Sequence, residues 1–197
     1  MKKLPLLLLL LACNTNQQRI DHLKAELNSI YDDDQRYREQ LSKSVTAHEN
    51  IALWKMQDSL DAINLKRVRV ILDSMGNPGK QVFGEKAASA CFYVIQHAEL
   101  ADQEKYLPEF TRATEKHDLE WPVLVKMIDR VKLEKEGKQL YGTQYMPIKD
   151  PVTGYNTDKM QLAPIEDEAN VDKRRKEKGM PPLSEAAKKF GVDYPGH

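Results

Sequence analysis

His97 is the side chain in this sequence best suited to acid–base chemistry. It follows Gln96 at the C-terminal end of an apolar helical run, where packing gives way to polar groups. An imidazole has an unperturbed pKa of about 6.5, so it can give or take a proton near neutrality. The plainer alternative is a histidine that closes the helix by bonding a late carbonyl. Asp129 and Arg130 are adjacent, so on a helix they project about 100° apart and each needs its own partner. Asp129 could orient His97, as a carboxylate orients an imidazole. Arg130 could hold an anion in its planar fork. Alternatively, both belong to a buried ion-pair network with Asp34, Arg38 or Asp172. Gln139, Tyr141, Thr143 and Gln144 make a patch rich in amides and hydroxyls, fit for sugars or peptides or for stitching one element onto another. Arg174 and Arg175 lie in the run Asp172 to Lys178, which reads as a solvated helix face or an anion contact.

Other chemistries are poorly served. There is no His-Glu-x-x-His, no cysteine cluster and no EF-hand loop, so no metal is expected. There is no P-loop, no dinucleotide fingerprint and no Gly-x-Ser-x-Gly elbow, and no cofactor is expected. Cys91 sits among Ala87, Ala88, Ala90 and Phe92, where a cysteine behaves as a small buried hydrophobe.

The N-terminus carries a different signal. Met1-Lys2-Lys3 is a short basic segment, and Leu4 to Ala12 is apolar. The run is shorter than the ~20 residues that a spanning helix needs and fits a secretory leader instead. It ends in Leu10-Leu11-Ala12-Cys13, which resembles a bacterial lipobox, with a larger residue than usual at Leu11. That resemblance implies cleavage before Cys13, diacylglycerol on its thiol and acylation, by palmitate or a similar chain, of the new amine. With Cys13 acylated, Cys91 has no cysteine left to pair with. Asn14 lacks the aspartate of inner-membrane retention signals, which by analogy favours the periplasmic face of an outer membrane.

The 197 residues carry 41% hydrophobic and 30% charged side chains and no net charge. Loss of Lys2 and Lys3 with the leader makes the remainder slightly acidic. This is the balance of a folded domain without the broad basic footprint of a nucleic-acid binder.

The elements that must position these residues are mostly helices. Residues 1–12 read as leader, 13–18 as lipidated cysteine and polar tether, and 19–197 as a single α-rich domain. Helical spacing predicts Arg19 to Tyr31, then Asp34 to Lys43 beyond the acidic break Asp32-Asp33-Asp34. A third helix carries Leu60, Ile63, Val68, Ile71, Leu72 and Met75 and stops at Gly76-Asn77-Pro78-Gly79. Further helices are predicted over Gly84 to Leu100 and Asp102 to Lys116, where Pro108 threatens a kink, and from Pro122 to Gly137. One β-hairpin is expected at about 139–163, with Leu140 to Tyr145 leading in and Lys159 to Ala163 returning. In that strand Tyr141 and Thr143 would face one way and Gly142 and Gln144 the other. Helical pieces over Glu168 to Lys178 and from Leu183 close the chain.

Several of these pieces recur together in order: Asp34-Gln35 with Arg38, Gly76 and Pro78, Gln96-His97-Ala98, Asp129-Arg130-Val131, Gln139 with Tyr141-Gly142-Thr143-Gln144, then Val171-Asp172 with Arg174-Arg175 and Gly179. The set resembles a bacterial family of uncharacterised domains and covers roughly Ile20 to Phe190. The aromatic usual between Gly76 and Pro78 is replaced by Asn77. The resemblance implies no reaction or cofactor, only that these polar groups belong together. The sequence therefore points to a lipid-tethered ligand-binding or scaffolding module of the cell envelope. Its partners would be the membrane and a polar or anionic small ligand or a protein. The alternative is an envelope hydrolase using His97 with Asp129 and Arg130.

Overall fold

In a computed structural model, residues 6–41, 43 and 46–194 are described. The start of the expected leader, residues 1–5, lies outside them. The chain is mainly α, as the periodicity predicts, with one late antiparallel hairpin. It packs as two compact units, Met1–Glu99 and Leu100–His197. Among the described residues, no helix is long and apolar enough to cross a membrane, and no group of acidic, histidine or cysteine side chains could hold a metal ion.

The first unit is built on two long helices, α1 (Leu6–Leu41) and α2 (Ala47–Met75), a short α3 (Lys80–Phe83), and α4 (Glu85–Gln96). α4 packs on both long helices. Its rows Ala87, Cys91, Val94 and Ala88, Phe92, Ile95 are all buried and meet Leu27 and Ile30 of α1 and Val68, Ile71 and Leu72 of α2 in the core. Small alanines let the backbones approach, and Phe92 fills what they leave. Burial pushes the Cys91 thiol up to about 12, so it is no nucleophile near neutral pH. Thr46 caps α2 by accepting the Glu49 amide at 3.3 Å.

α1 departs from expectation twice. The acidic triplet does not break it, because successive side chains diverge by about 100°. Asp32 pairs with Lys86 at 2.5 Å, Asp33 with Arg36 at 2.6 Å, and Asp34 turns inward. The expected tether, residues 13–18, is also helical and continuous with the rest of α1.

The second unit pairs α5 (Leu100–Glu115) with α6 (Trp121–Glu136). α5 runs unbroken through Pro108 and buries Tyr106, Phe110 and Ala113. α6 buries Leu124, Val125, Met127 and Val131 and ends at Gly137, whose φ of 73° is the left-handed conformation glycine adopts without strain. Strands β1 (Tyr145–Lys149) and β2 (Asn156–Leu162) pair with Tyr145 opposite Leu162 and Pro147 opposite Met160, with a register shift between Pro147 and Lys149. Asp150 organises the turn by accepting the amides of Val152 and Thr153 at 2.9 and 2.8 Å. A single 3-10 turn, Glu168–Asn170, leads into α7 (Val171–Glu177), and α8 (Leu183–Lys188) follows.

Leu140 to Gln144, expected as the first strand, is instead a tight loop, and the strand starts only at Tyr145. A ladder would need the amides that this loop gives to a side chain, and Gly142 sits at φ 71°, outside the strand region. A Cβ at Gly142 would come within 2.7 Å of Leu183 Cδ1, so glycine here serves a close approach to α8 rather than to a ligand.

Candidate functional site

The sequence-predicted polar residues divide between the two units, and they do different work in each.

In the second unit they build the loop. Asp129 is wholly buried on α6. Its Oδ1 accepts the amides of Leu140 and Tyr141 at 2.8 and 2.9 Å, and its Oδ2 accepts the amide and hydroxyl of Thr143 at 2.9 and 2.8 Å. Four donors fill the carboxylate, so it is engaged in holding residues 140–143. Gln139 is equally buried, donating to the carbonyls of Gln144 and Ala163 at 2.9 and 2.8 Å and accepting the Gln144 amide at 2.8 Å. Gln144 also donates to the Lys126 carbonyl at 3.1 Å. Arg175, expected on a solvated face, is 2% exposed and donates to the carbonyls of Tyr141 and Pro181 at 2.6 and 2.7 Å. Arg174 fastens the carbonyls of Leu140, Glu166 and Asp167. Asp172 accepts the Leu183 amide at 2.7 Å. Tyr141 is nearly buried beneath this frame. Arg130 is half-buried on α6. The partners of Asp129, Gln139, Arg174 and Arg175 are mostly backbone groups, so these side chains satisfy loop amides and carbonyls that no ladder satisfies.

In the first unit the polar residues converge. Asp34 and Gln35 of α1, Asp61 of α2, and His97 just past α4 come to one place. Asp34 is 1% exposed. Its Oδ2 accepts Gln35 Nε2 at 2.7 Å and lies 4.0 Å from His97 Nε2, while its buried Oδ1 accepts no hydrogen bond. Arg38 reaches back to the Asp34 carbonyl at 3.1 Å and forks onto Asp61 at 3.2 and 2.7 Å, leaving its Nη2 3.9 Å from Asp34 Oδ1. Gln57 bridges the helices, donating to Asp61 at 2.7 Å and accepting the Tyr37 amide at 3.2 Å. Gln96 Nε2 sits 3.5 Å from His97 Nε2. Tyr93 and Tyr31 stand edge to face, centroids 5.5 Å apart, and Tyr93 is held above its usual pKa by burial and by the charges of Tyr31 and Asp34.

Electrostatics set this cluster apart. Burial pushes the Asp34 carboxyl up to about 6; Asp61 adds to the effect, and Arg38 and Gln35 oppose it. The Asp34 acid and the His97 imidazole, 4.0 Å apart, can share or relay a proton after a small side-chain rotation. His97 also lines a cleft of about 140 Å³ with Asp61, Ala62, Leu65, Val94, Ala98 and Glu99. That is below the ~300–1,000 Å³ of sites for drug-sized ligands and suits the end of a molecule or a small one.

The carboxylate beside His97 is therefore Asp34, not the Asp129 that sequence reasoning offered. Asp61 and Gln57 were missed. Their signal was present: Gln57 and Asn64 occupy buried stripe positions of α2 between Leu53 and Val68, and a polar residue on a core stripe needs a partner.

Fold and cluster together describe an α-rich protein with a carboxylate–imidazole pair set among three helices of its first unit. The chain belongs to a family of unknown function (DUF6624), whose model matches residues 21–195 and so takes in both units. No curated protein and no solved structure matches it.

Proposed function

We propose that this chain is a lipid-tethered module of the cell envelope that binds a small polar ligand in the cleft beside His97. The observation that carries the site is convergence. Asp34-Gln35-x-x-Arg38 and Gln96-His97, far apart in sequence, meet at a cleft that the histidine lines, whereas Asp129, Gln139, Arg174 and Arg175 are engaged by loop backbone. The lining favours a particular ligand chemistry. Glu99 supplies a carboxylate, while Asp61 and Arg38 balance each other in their fork. A ligand bearing ammonium or hydroxyl donors on a short apolar stem, such as an amino sugar or a peptide amine, fits better than an anion.

A second reading is favoured by the raised pKa of Asp34. In it the pair does acid–base work on the bound ligand, with His97 exchanging the proton and Asp34 orienting and charging it. This replaces Asp129 by Asp34 in the hydrolase alternative.

The test is a thermal-shift screen of the protein against cell-wall fragments, sugars and peptides, with His97→Ala alongside. A ligand at 100 times its dissociation constant adds about 2.7 kcal/mol, which moves the melt by roughly 5–10 °C. The expected result is a hit that His97→Ala loses while its unliganded melt stays put. A His97→Ala variant that melts several degrees lower and still responds to the same ligand removes the site.

The anchor rests on the run Leu10-Leu11-Ala12-Cys13. Cys13→Ser should move the protein out of the membrane-anchored, acylated pool, and intact mass should lose the diacylglycerol increment. Unchanged fractionation and mass would end the lipoprotein reading.

A further inference from the structure

Beside the His97 cleft one guanidinium stands between two carboxylates. Arg38 forks onto Asp61, its Nη2 donating to Oδ2 at 2.7 Å and its Nη1 to Oδ1 at 3.2 Å. The same Nη2 lies 3.9 Å from Asp34 Oδ1. That oxygen accepts no hydrogen bond, although Asp34 is only 1% exposed. A buried carboxylate oxygen left bare is unfavourable and calls for a donor. Arg38 is placed to become that donor. Charge-assisted N–H···O bonds run about 2.7–2.9 Å, so Nη2 needs to move by only about 1 Å. Its Nη1 already donates to the Asp34 carbonyl at 3.1 Å, a bond that serves as a pivot for either position.

Such a crossing changes what the cleft offers. Asp61 lines the cleft, and its side chain is 28% exposed. In the fork its charge is balanced by Arg38. Gln57 Nε2 donates to Oδ1 at 2.7 Å and stays behind when Arg38 leaves, so Asp61 keeps its orientation and Oδ2 is the oxygen uncovered. Charge then balances when a cation takes the place of Arg38 on Asp61 and Asp34 is ionised. Burial pushes the Asp34 carboxyl up to about 6, and the charge of Arg38 is what favours loss of its proton. The charged and titratable groups facing Asp34 are Arg38 on α1, Asp61 on α2, and Tyr93 and His97 from the α4 side.

We propose that Asp61 Oδ2 is the acceptor for an ammonium group of the ligand, and that Arg38 uncovers it by crossing to Asp34 Oδ1. The proposal rests on the reading of the His97 cleft as a ligand site. Binding then requires ionised Asp34, whereas the empty protein holds that proton below about pH 6. A cation entering the cleft at pH 5 therefore releases up to one proton, and its affinity falls roughly tenfold from pH 7 to pH 5. A protonated His97 would repel the same cation, so pH dependence alone does not separate the two groups. Removing Asp34 does.

The experiment titrates the protein with glucosamine, and with N-acetylglucosamine as its uncharged counterpart, and follows two sets of NMR signals. Methyl groups of Leu65 and Val94 report entry to the cleft, and the Arg38 side-chain Nε–H reports the crossing. The expected result at pH 7 is that glucosamine shifts both sets and binds at least tenfold more tightly than its N-acetyl form. In Asp34→Asn, which keeps the shape of the side chain but gives Arg38 no second carboxylate, glucosamine should bind about tenfold more weakly and leave the Arg38 signal in place. Shifted methyls with an unmoved Arg38 signal in the wild type would overturn the crossing, as would an Asp34→Asn variant that binds glucosamine like the wild type. Equal affinity for the two sugars would overturn the role of Asp61. If neither sugar moves the methyls, the cleft itself is not the site, and the reading beneath the proposal fails with it.

Discussion

At pH 7.5 the Asp34→Asn variant melts several degrees above the wild type. Asp34 is almost wholly buried, one of its oxygens accepts no hydrogen bond, and its carboxyl is pushed up to about 6. An unfolded aspartate titrates near 3.9. The folded protein thus holds this proton more tightly than the unfolded chain does. The stability from that difference is fully present below about pH 4 and is lost as pH rises through 6. Above that, the ionised carboxylate stands at a disadvantage of about 3 kcal/mol relative to the neutral acid. Asparagine has the same shape, stays neutral and keeps an oxygen for Gln35. The expected gain at pH 7.5 reaches about 3 kcal/mol, or roughly 6–12 °C, and it shrinks to nothing towards pH 4. Melting curves of both proteins from pH 4 to 8 test this, and a variant destabilised equally at both ends would refute it. The same variant should lose the ligand response that depends on His97. A residue whose removal stabilises the fold and abolishes binding is one retained for function.

The second large effect is expected in the other unit. Asp129→Ala strips the acceptor from three loop amides and the Thr143 hydroxyl, all within 2.9 Å of the carboxylate. An unsatisfied buried donor costs about 1–3 kcal/mol, and dismantling a buried charged network costs about 3–5 kcal/mol. The melt should fall by on the order of 10–15 °C. Amides of residues 140–143 should lose their protection from exchange. Below its melt the variant should keep the ligand response that His97→Ala loses. If instead Asp129→Ala melts like the wild type but no longer binds, Asp129 belongs to the site after all.

These contrasting roles explain how far the sequence could be read. The apolar rows of α4 and the stop after Met75 follow from side-chain spacing and from glycine, so they were legible. The continuity of α1 was not, because three consecutive acids look like a break until Lys86, Arg36 and a buried niche each take one. The loop at Leu140 to Gln144 was misread for a related reason. Tyr, Thr and Gln in alternation favour a strand, and only the carboxylate eleven or more residues upstream turns those amides away from a ladder. Motif order grouped these polar residues as one set, and it could not divide them between the two units. Burial does: Arg175 is enclosed and bonded to carbonyls, while His97 lines open space.

α1 runs without interruption from the region of Cys13 to Asp34 and on to Leu41. A flexible leash would let the cleft sweep a hemisphere, its chance of meeting any one target falling as the volume grows. A helix acts as a gauge block. Twenty-one residues at about 1.5 Å each hold Asp34 roughly 30 Å along the helix from Cys13, the residue that the proposed anchor would acylate. If that anchor holds, partners fixed to the same membrane would be sampled within a thin shell at one altitude. Inserting a single residue into the exposed part of α1 before Ile20 would both lift that shell and swing the cleft by about 100°, whereas seven residues, close to two full turns, would lift it by about 10 Å with little rotation.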